Sequence, residues 1–289
     1  MRPFGERLSG LVAARGPLVV GIDPHPPLLA AWGLSADAAG LERFALTVVE
    51  AVGDRVAVFK PQSAFFERFG SRGVAVLERT LAAIRDAGAL SIADVKRGDI
   101  GSTTAGYAAA YLDPSSPLAA DAMTASPYLG FGSLGPLLEA AYAHGGGVFV
   151  LALTSNPEGA EVQRAAGAGG RTVAQSVLDQ AAEANAAELA RTGGTLGSVG
   201  VVVGATVGRH GHRLDHLRGP VLAPGLGAQG AAAADLPAVF GPALPWVLPA
   251  VSRELLGAGP DPDALRAAAD RMAAEMRSIR APEMTGTSR

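Results

Sequence analysis

Short apolar runs rich in β-branched residues alternate along the chain with longer segments whose apolar positions recur at helical spacing. Eight of the short runs read as strands: Leu18–Ile22, Val56–Phe59, Leu90–Val95, Ala120–Thr124, Val148–Leu153, Val199–Val203, Val221–Ala223 and Trp246–Leu248. Helical periodicity covers Ala36–Val52, Arg72–Asp86, Gly132–Ala143 and Arg171–Arg191. Asp261-Pro262 supplies an N-cap and a first-turn proline for a last helix ending near Ile279. Regular alternation of strand and helix predicts an α/β protein with a parallel sheet, because a parallel pair needs a long crossover. Eight repeats over roughly 250 residues match the size of a (β/α)8 TIM barrel. A doubly wound open sheet is the competing architecture.

Composition narrows the setting. The chain has 289 residues, 48% of them hydrophobic, which is enough for a substantial core. The net charge is −3 with no basic run, so no nucleic-acid surface is expected. There is no cysteine, which removes disulfides and thiol catalysis. The N-terminal Met-Arg-Pro-Phe-Gly-Glu-Arg lacks the apolar stretch of a signal peptide, and no charge-free apolar run reaches the roughly 20 residues of a membrane span. The expectation is a cytoplasmic protein with one barrel domain over residues 1–281 and a frayed tail over 282–289. Gly167–Gly170 reads as a loop inside that domain.

The most informative stretch is Ser91-Ile-Ala-Asp-Val-Lys-Arg-Gly-Asp-Ile-Gly-Ser-Thr-Thr. On a strand, residues two apart share a face, so Asp94 and Lys96 project together while Val95 and Arg97 point away. Gly98 bends the chain and places Asp99 in the following loop. An ammonium held between carboxylates keeps its proton, which suits it to donate a proton or stabilise an anion and not to attack a carbonyl. Taken alone, three fixed residues in six also describe a solvated salt-bridge cluster.

The other strand ends carry further polar groups: Gly21-Ile-Asp23-Pro-His, Phe59-Lys60-Pro-Gln, Leu153-Thr154-Ser155-Asn156-Pro, Ala223-Pro-Gly225-Leu-Gly227-Ala-Gln229-Gly230 and Val251-Ser252-Arg253. Each has an ordinary structural explanation as a cap, loop or surface pair. Together they put charge and hydrogen-bonding groups at one end of one barrel, where barrel chemistry sits. The last two point to a phosphate, since glycine-rich turns expose N–H groups and arginine presents a planar fork. His210 and His212 are two loop histidines without further ligands at metal spacing, so no metal is expected. Trp32 and Trp246 read as packing, and Tyr107 and Tyr111 as one helix face.

Asp94-Val-Lys-Arg-Gly-Asp-Ile-Gly-Ser-Thr, with Phe59-Lys-Pro-Gln, Thr154-Ser-Asn-Pro and Pro224-Gly-Leu-Gly-Ala-Gln-Gly, resembles the orotidine 5′-phosphate decarboxylases, in particular their longer bacterial subgroup. The resemblance runs over about 230 residues, from the first strand to the eighth. It implies decarboxylation of orotidine 5′-phosphate to uridine 5′-phosphate without a cofactor, as the last step of de novo pyrimidine synthesis. It implies a charged tetrad of Lys60, Asp94, Lys96 and Asp99, with Lys96 protonating C6 and Asp99 donated by a partner subunit across a homodimer. Asp23 and the partner's Thr103, from the same loop as Asp99, are implied at the ribose, Ser155 at the pyrimidine, and Gln229 and Arg253 at the phosphate. Thr154 and Ser155 remain alternatives for the pyrimidine contact. Two other readings compete. One is a sibling Mg-dependent sugar-phosphate decarboxylase that shares D-x-K-x-x-D but has a carboxylate where Lys60 stands. The other is a non-catalytic barrel that binds a phosphorylated ligand. No sequence feature assigns a role to Glu158–Arg171.

Overall fold

The computed structural model describes residues 1–208, 210–227 and 230–280. Eight parallel strands close into a barrel in chain order: β1 Val19–Ile22, β2 Val58–Pro61, β3 Leu90–Arg97, β4 Ala122–Ala125, β5 Gly147–Leu153, β6 Val199–Val203, β7 Val221–Pro224 and β8 Val247–Val251. Pairing of Val19 with Ala250 and Val20 with Val251 joins β8 to β1 and leaves no edge. The open-sheet alternative is therefore excluded. The expected tail, 282–289, lies outside the described residues.

The strands read as continuous apolar runs because both of their faces are buried. Side chains still alternate. Val19, Val58, Leu222 and Leu248 fill the barrel interior, while Val20, Phe59, Val221 and Val247 pack against the surrounding helices. Expected and observed strand ends differ most at the C-terminal side. β2 runs on through Lys60 and Pro61, β3 through Lys96 and Arg97, and β8 to Val251. Ladder pairing such as Gly21 with Lys60 carries charged residues into the sheet, and an apolar run cannot reveal this.

The helices follow the periodic segments closely, with Ala38–Val52 capped by the Asp37 carboxylate and Val173–Thr192 capped by the Thr172 hydroxyl. The expected helix Gly132–Ala143 divides into a 3-10 turn at Phe131–Leu134 and a helix at Gly135–His144, with Pro136 in its first turn. The N-terminal helix Phe4–Arg15 has no counterpart in the sequence reading. It closes the N-terminal mouth of the barrel. Phe4 meets Phe149 edge-on at 5.9 Å, and Arg7 donates to Asp121 and to the Gly145 carbonyl. With that mouth plugged, the polar cavity of the barrel lies at the C-terminal ends of the strands. Trp32 packs as expected, its indole N–H donating to the Leu256 carbonyl at 2.9 Å, whereas Trp246 is 37% exposed and is not core. No helix among the described residues is long and apolar enough to cross a membrane.

Candidate active site

The open end holds a cavity of about 300 Å³. Its polar lining comes from six strand ends: Asp23 after β1, Lys60 and Gln62 at β2, Asp94 and Lys96 on β3, Thr124 on β4, Thr154 and Ser155 after β5, and Ser252 and Arg253 after β8. The sequence had scattered these groups over more than two hundred residues.

The charged centre is organised around Asp94. Its Oδ2 accepts from Lys60 Nζ at 2.8 Å and Gln62 Nε2 at 3.1 Å. Its Oδ1 accepts from Lys96 Nζ at 2.5 Å and Thr124 Oγ1 at 2.9 Å. A carboxylate offers about four lone-pair sites, so the side chain is saturated by donors. Burial opposes its charge, but the Lys60 and Lys96 ammonium groups outweigh burial and hold the carboxyl well below the usual carboxylate range. Lys60 shows the mirror case. Burial alone would favour its neutral form, yet Asp94, and Asp23 at 3.9 Å, outweigh that and raise it above the ordinary lysine range.

Two expectations from strand geometry change here. Asp94 and Lys96 do meet, but regular alternation is not the cause. β3 and β4 pair at Ala93↔Met123 and resume only at Arg97↔Ala125, so Asp94, Val95 and Lys96 bulge opposite Thr124. Lys96 takes φ +45°, a left-handed conformation that non-glycine residues rarely adopt. Second, within one chain the lysine lying between two carboxylates is Lys60, between Asp94 and Asp23. Among the described residues Lys96 pairs with Asp94 alone.

Asp99 and Thr103 do not line this cavity. Asp99 Oδ1 accepts from the Ile100 N–H, and among the described residues its carboxylate pairs with no cation. Thr103 is exposed on the first turn of the helix Gly101–Leu112, not in the loop as expected. On that helix Tyr111 is buried and Tyr107 lies half-buried beneath the Arg97 guanidinium.

At β5, Thr154 is committed internally. Its hydroxyl donates to Asn156 Oδ1 and accepts from Gln163 Nε2, both at 2.7 Å, and its N–H donates to Gln163 Oε1. Gln163 belongs to the short helix Gly159–Gln163, which gives part of the Glu158–Arg171 segment a role: it splints this loop. The Ser155 hydroxyl has no hydrogen-bond partner among the described residues. After β7, Gly225, Gly227 and Gly230 all have positive φ, and a Cβ at Gly227 would collide with Glu254. Gln229 lies outside the described residues. Arg253 is exposed on the cavity rim, at the start of the helix Arg253–Leu256. Among the described residues, Asp23 Oδ1 and Ser252 Oγ are buried in the lining without a hydrogen-bond partner.

Gln62 and Thr124 had no assigned role from sequence, and Ser252 was read only together with Arg253 at the phosphate end. Gln62 had a signal, two residues past Lys60, whereas Thr124 gave none because its role depends on the bulge. His210 and His212 sit away from the cavity: His212 Nε2 meets the Thr172 hydroxyl at 2.8 Å, and the His212 N–H donates to His210 Nδ1. No group of three or more potential metal ligands occurs among the described residues.

Comparison with known proteins places this geometry. A family model described as Orotidine 5′-phosphate decarboxylase / HUMPS family matches residues 16–268. The chain is 68% identical over 278 residues to a Salinispora arenicola protein named orotidine 5′-phosphate decarboxylase, covering 96% of this chain and 98% of that one. A crystal structure from Streptomyces avermitilis superposes with a TM-score of 0.93 at 62% identity, over 98% of this chain and 97% of the other. The Leishmania donovani OMP decarboxylase superposes at 0.76 with 32% identity, over 96% and 99%.

The ionisation of Asp94 is directly measurable. A depressed folded value means that the stability contributed by the ionised group is present above the ordinary aspartate value of about 3.9 and is lost as pH falls through the lower folded value. Carbon NMR of the labelled aspartates is expected to find the Asp94 carboxyl still ionised at about pH 4, where an ordinary aspartate is half protonated. A midpoint at or above that pH would contradict the four-donor arrangement.

Proposed function

The chain belongs to the orotidine 5′-phosphate decarboxylase / HUMPS family, and from that premise we propose how its cavity works. The protein is a carboxy-lyase that converts orotidine 5′-phosphate to uridine 5′-phosphate and CO2 in pyrimidine biosynthesis. The observation that carries the mechanism is the saturated Asp94 carboxylate between Lys60 and Lys96.

Breaking the C6–carboxylate bond leaves its electron pair on C6, at a ring position that cannot delocalise it. The site answers with fixed charge. Lys96 faces the developing carbanion, stabilises it, and transfers a proton to C6; the neutral amine then recovers a proton from solvent. Asp94 stays ionised throughout, holds Lys96 in place, and disfavours the neighbouring substrate carboxylate. Two unit charges about 4 Å apart interact by roughly 4 kcal/mol at an effective dielectric of 20. Enzymes lower barriers by about 8–23 kcal/mol, so one ion pair is not sufficient. The remainder comes from binding the distant parts of the substrate in a preorganised site.

Those parts match the remaining lining. Asp23, whose Oδ1 takes no hydrogen bond among the described residues, accepts from ribose hydroxyls. Ser155, free where Thr154 is engaged, faces the pyrimidine. Arg253 and the glycine-rich turn after β7 hold the phosphate, with Gln229 as their further partner. Lys60, a cation where the Mg-dependent sibling reading needs a carboxylate, favours orotidylate.

The site is completed by a second copy of the chain. Asp99 lies outside its own cavity, and the loops around it carry exposed Ile100, Tyr128 and Leu129. The two loops run side by side, since the Ser126 N–H donates to the Arg97 carbonyl. An exposed apolar surface beside a carboxylate that pairs with no cation among the described residues suits a two-fold homodimer that delivers Asp99 and Thr103 to the neighbouring site. The setting proposed for this enzyme is the cytoplasm.

Loss of orotidylate absorbance tests the activity. Wild-type protein is expected to turn over and Lys96→Ala to lose turnover while keeping its fold. A Lys96→Ala variant with even about a tenth of wild-type kcat would remove Lys96 from the proton-transfer role. Sharing of the site is tested by mixing inactive Lys96→Ala with inactive Asp99→Ala subunits. About half of randomly reassorted dimers are mixed, and each has one site with both lesions and one with neither. About a quarter of wild-type activity is therefore expected to return. No recovery despite demonstrated subunit exchange would assign Asp99 to its own chain or to the interface alone.

A further inference from the structure

Thr124 is 1% exposed on β4, opposite the bulge that carries Asp94, Val95 and Lys96. Its hydroxyl oxygen accepts from the Val95 N–H at 3.0 Å and the Lys96 N–H at 2.9 Å, and lies 2.9 Å from Asp94 Oδ1. A hydroxyl has one donor and two acceptor sites. Both acceptor sites are filled by backbone N–H groups, and an ionised Asp94 can only accept, so the hydroxyl hydrogen must point to Asp94. The direction of all three bonds is thereby fixed.

In a regular strand, successive N–H groups point to opposite edges. Here two consecutive N–H groups converge on one oxygen, which requires the departure from strand geometry seen as φ +45° at Lys96. That conformation is strained and persists only where its surroundings hold it. Thr124 is the side chain that does so. It replaces the ladder acceptors lost at the bulge and ties the backbone of the general acid to the carboxylate that orients its ammonium.

We propose that Thr124 is a positioning residue for the decarboxylation step, setting the backbone of Lys96 and one oxygen of Asp94 together through a single hydroxyl. The inference rests on the reading of this cavity as the orotidylate site. Thr124 acts through Lys96 and Asp94, so its effect belongs to kcat and not to ligand binding, which depends on Asp23, Ser155 and Arg253.

Thr124→Val keeps the shape and removes the hydroxyl; Thr124→Ser keeps the hydroxyl and removes a methyl. The expected result is a fall in kcat of at least about thirtyfold for Thr124→Val, with uridine 5′-phosphate affinity by calorimetry within about threefold of wild type. Thr124→Ser is expected to recover kcat to within about fivefold. A residue that merely packs would give the opposite order, since valine fills the site better than serine. The inference is overturned if Thr124→Val keeps kcat within about threefold, if kcat and product affinity fall in parallel, or if serine does not restore activity. Circular dichroism of each variant checks folding, and if Thr124→Val does not fold, full activity in Thr124→Ala would overturn the inference in the same way. An inactive wild-type protein would overturn the reading of the site along with it, whereas an active wild type with an unaffected Thr124→Val overturns this inference alone.

Discussion

The arrangement of this site depends on one carboxylate. Asp94 is buried at the barrel's open end with two donors on each oxygen. An ionised carboxylate in such a place is tolerable only when it is fully paired, and removing one partner of a buried pair costs about 3–5 kcal/mol. The need for pairing fixes the positions of Lys60 from β2, Lys96 from β3 and Thr124 from β4. Three neighbouring strand ends are thereby set relative to one another before any substrate arrives. Such preorganisation lets charge act on a transition state without the cost of reorienting dipoles during the reaction.

The barrel makes that pairing possible. Parallel strands in sequential order bring every strand's C-terminal end to one rim, and the N-terminal helix seals the other. Charged residues can then occupy a cavity whose walls are strand backbone and apolar side chains. The β3 bulge is the local exception that turns this scaffold into a site. It gives up regular ladder bonds and places a lysine in an unfavourable backbone region, and it puts Lys96 Nζ against Asp94 while leaving that side chain 45% exposed to the cavity. A lysine so placed is reachable by substrate, unlike Lys60, which is sealed at 7%. The two cations thus differ: Lys60 balances the buried charge, and Lys96 is the one that the proposed mechanism sets against the reacting carbon.

The eight strands were legible because each is buried on both faces and so appears as an apolar run; the number of repeats fitted a barrel, and only the pairing of β8 with β1 excluded the open sheet. Lys60, Asp94, Lys96, Asp23 and Arg253 were legible as polar residues at the ends of such runs. What stayed hidden depends on three-dimensional pairing. The bulge leaves no trace in periodicity, so Asp94 and Lys96 were brought to one face for the wrong reason. Thr124 looked like an ordinary strand threonine because its role lies in two backbone N–H groups of another strand. The N-terminal helix was missed because its apolar residues, Phe4, Leu8, Leu11 and Val12, are interrupted by charges and make sense only against the barrel mouth. Thr103 was displaced from loop to helix because Gly101, with φ +54°, starts the helix sooner than a glycine suggests.

The central claim is geometric: Lys96, held by Asp94, is the group that faces the carbon losing CO2. The most direct measurement is a crystal structure with uridine 5′-phosphate bound. The account predicts Lys96 Nζ at about 3–3.5 Å from C6 of the pyrimidine, the separation of groups poised to react, with Asp94 still bonded to both lysines. A pyrimidine whose C6 faces another proton donor, or an Asp94 released from Lys96 on binding, would contradict it.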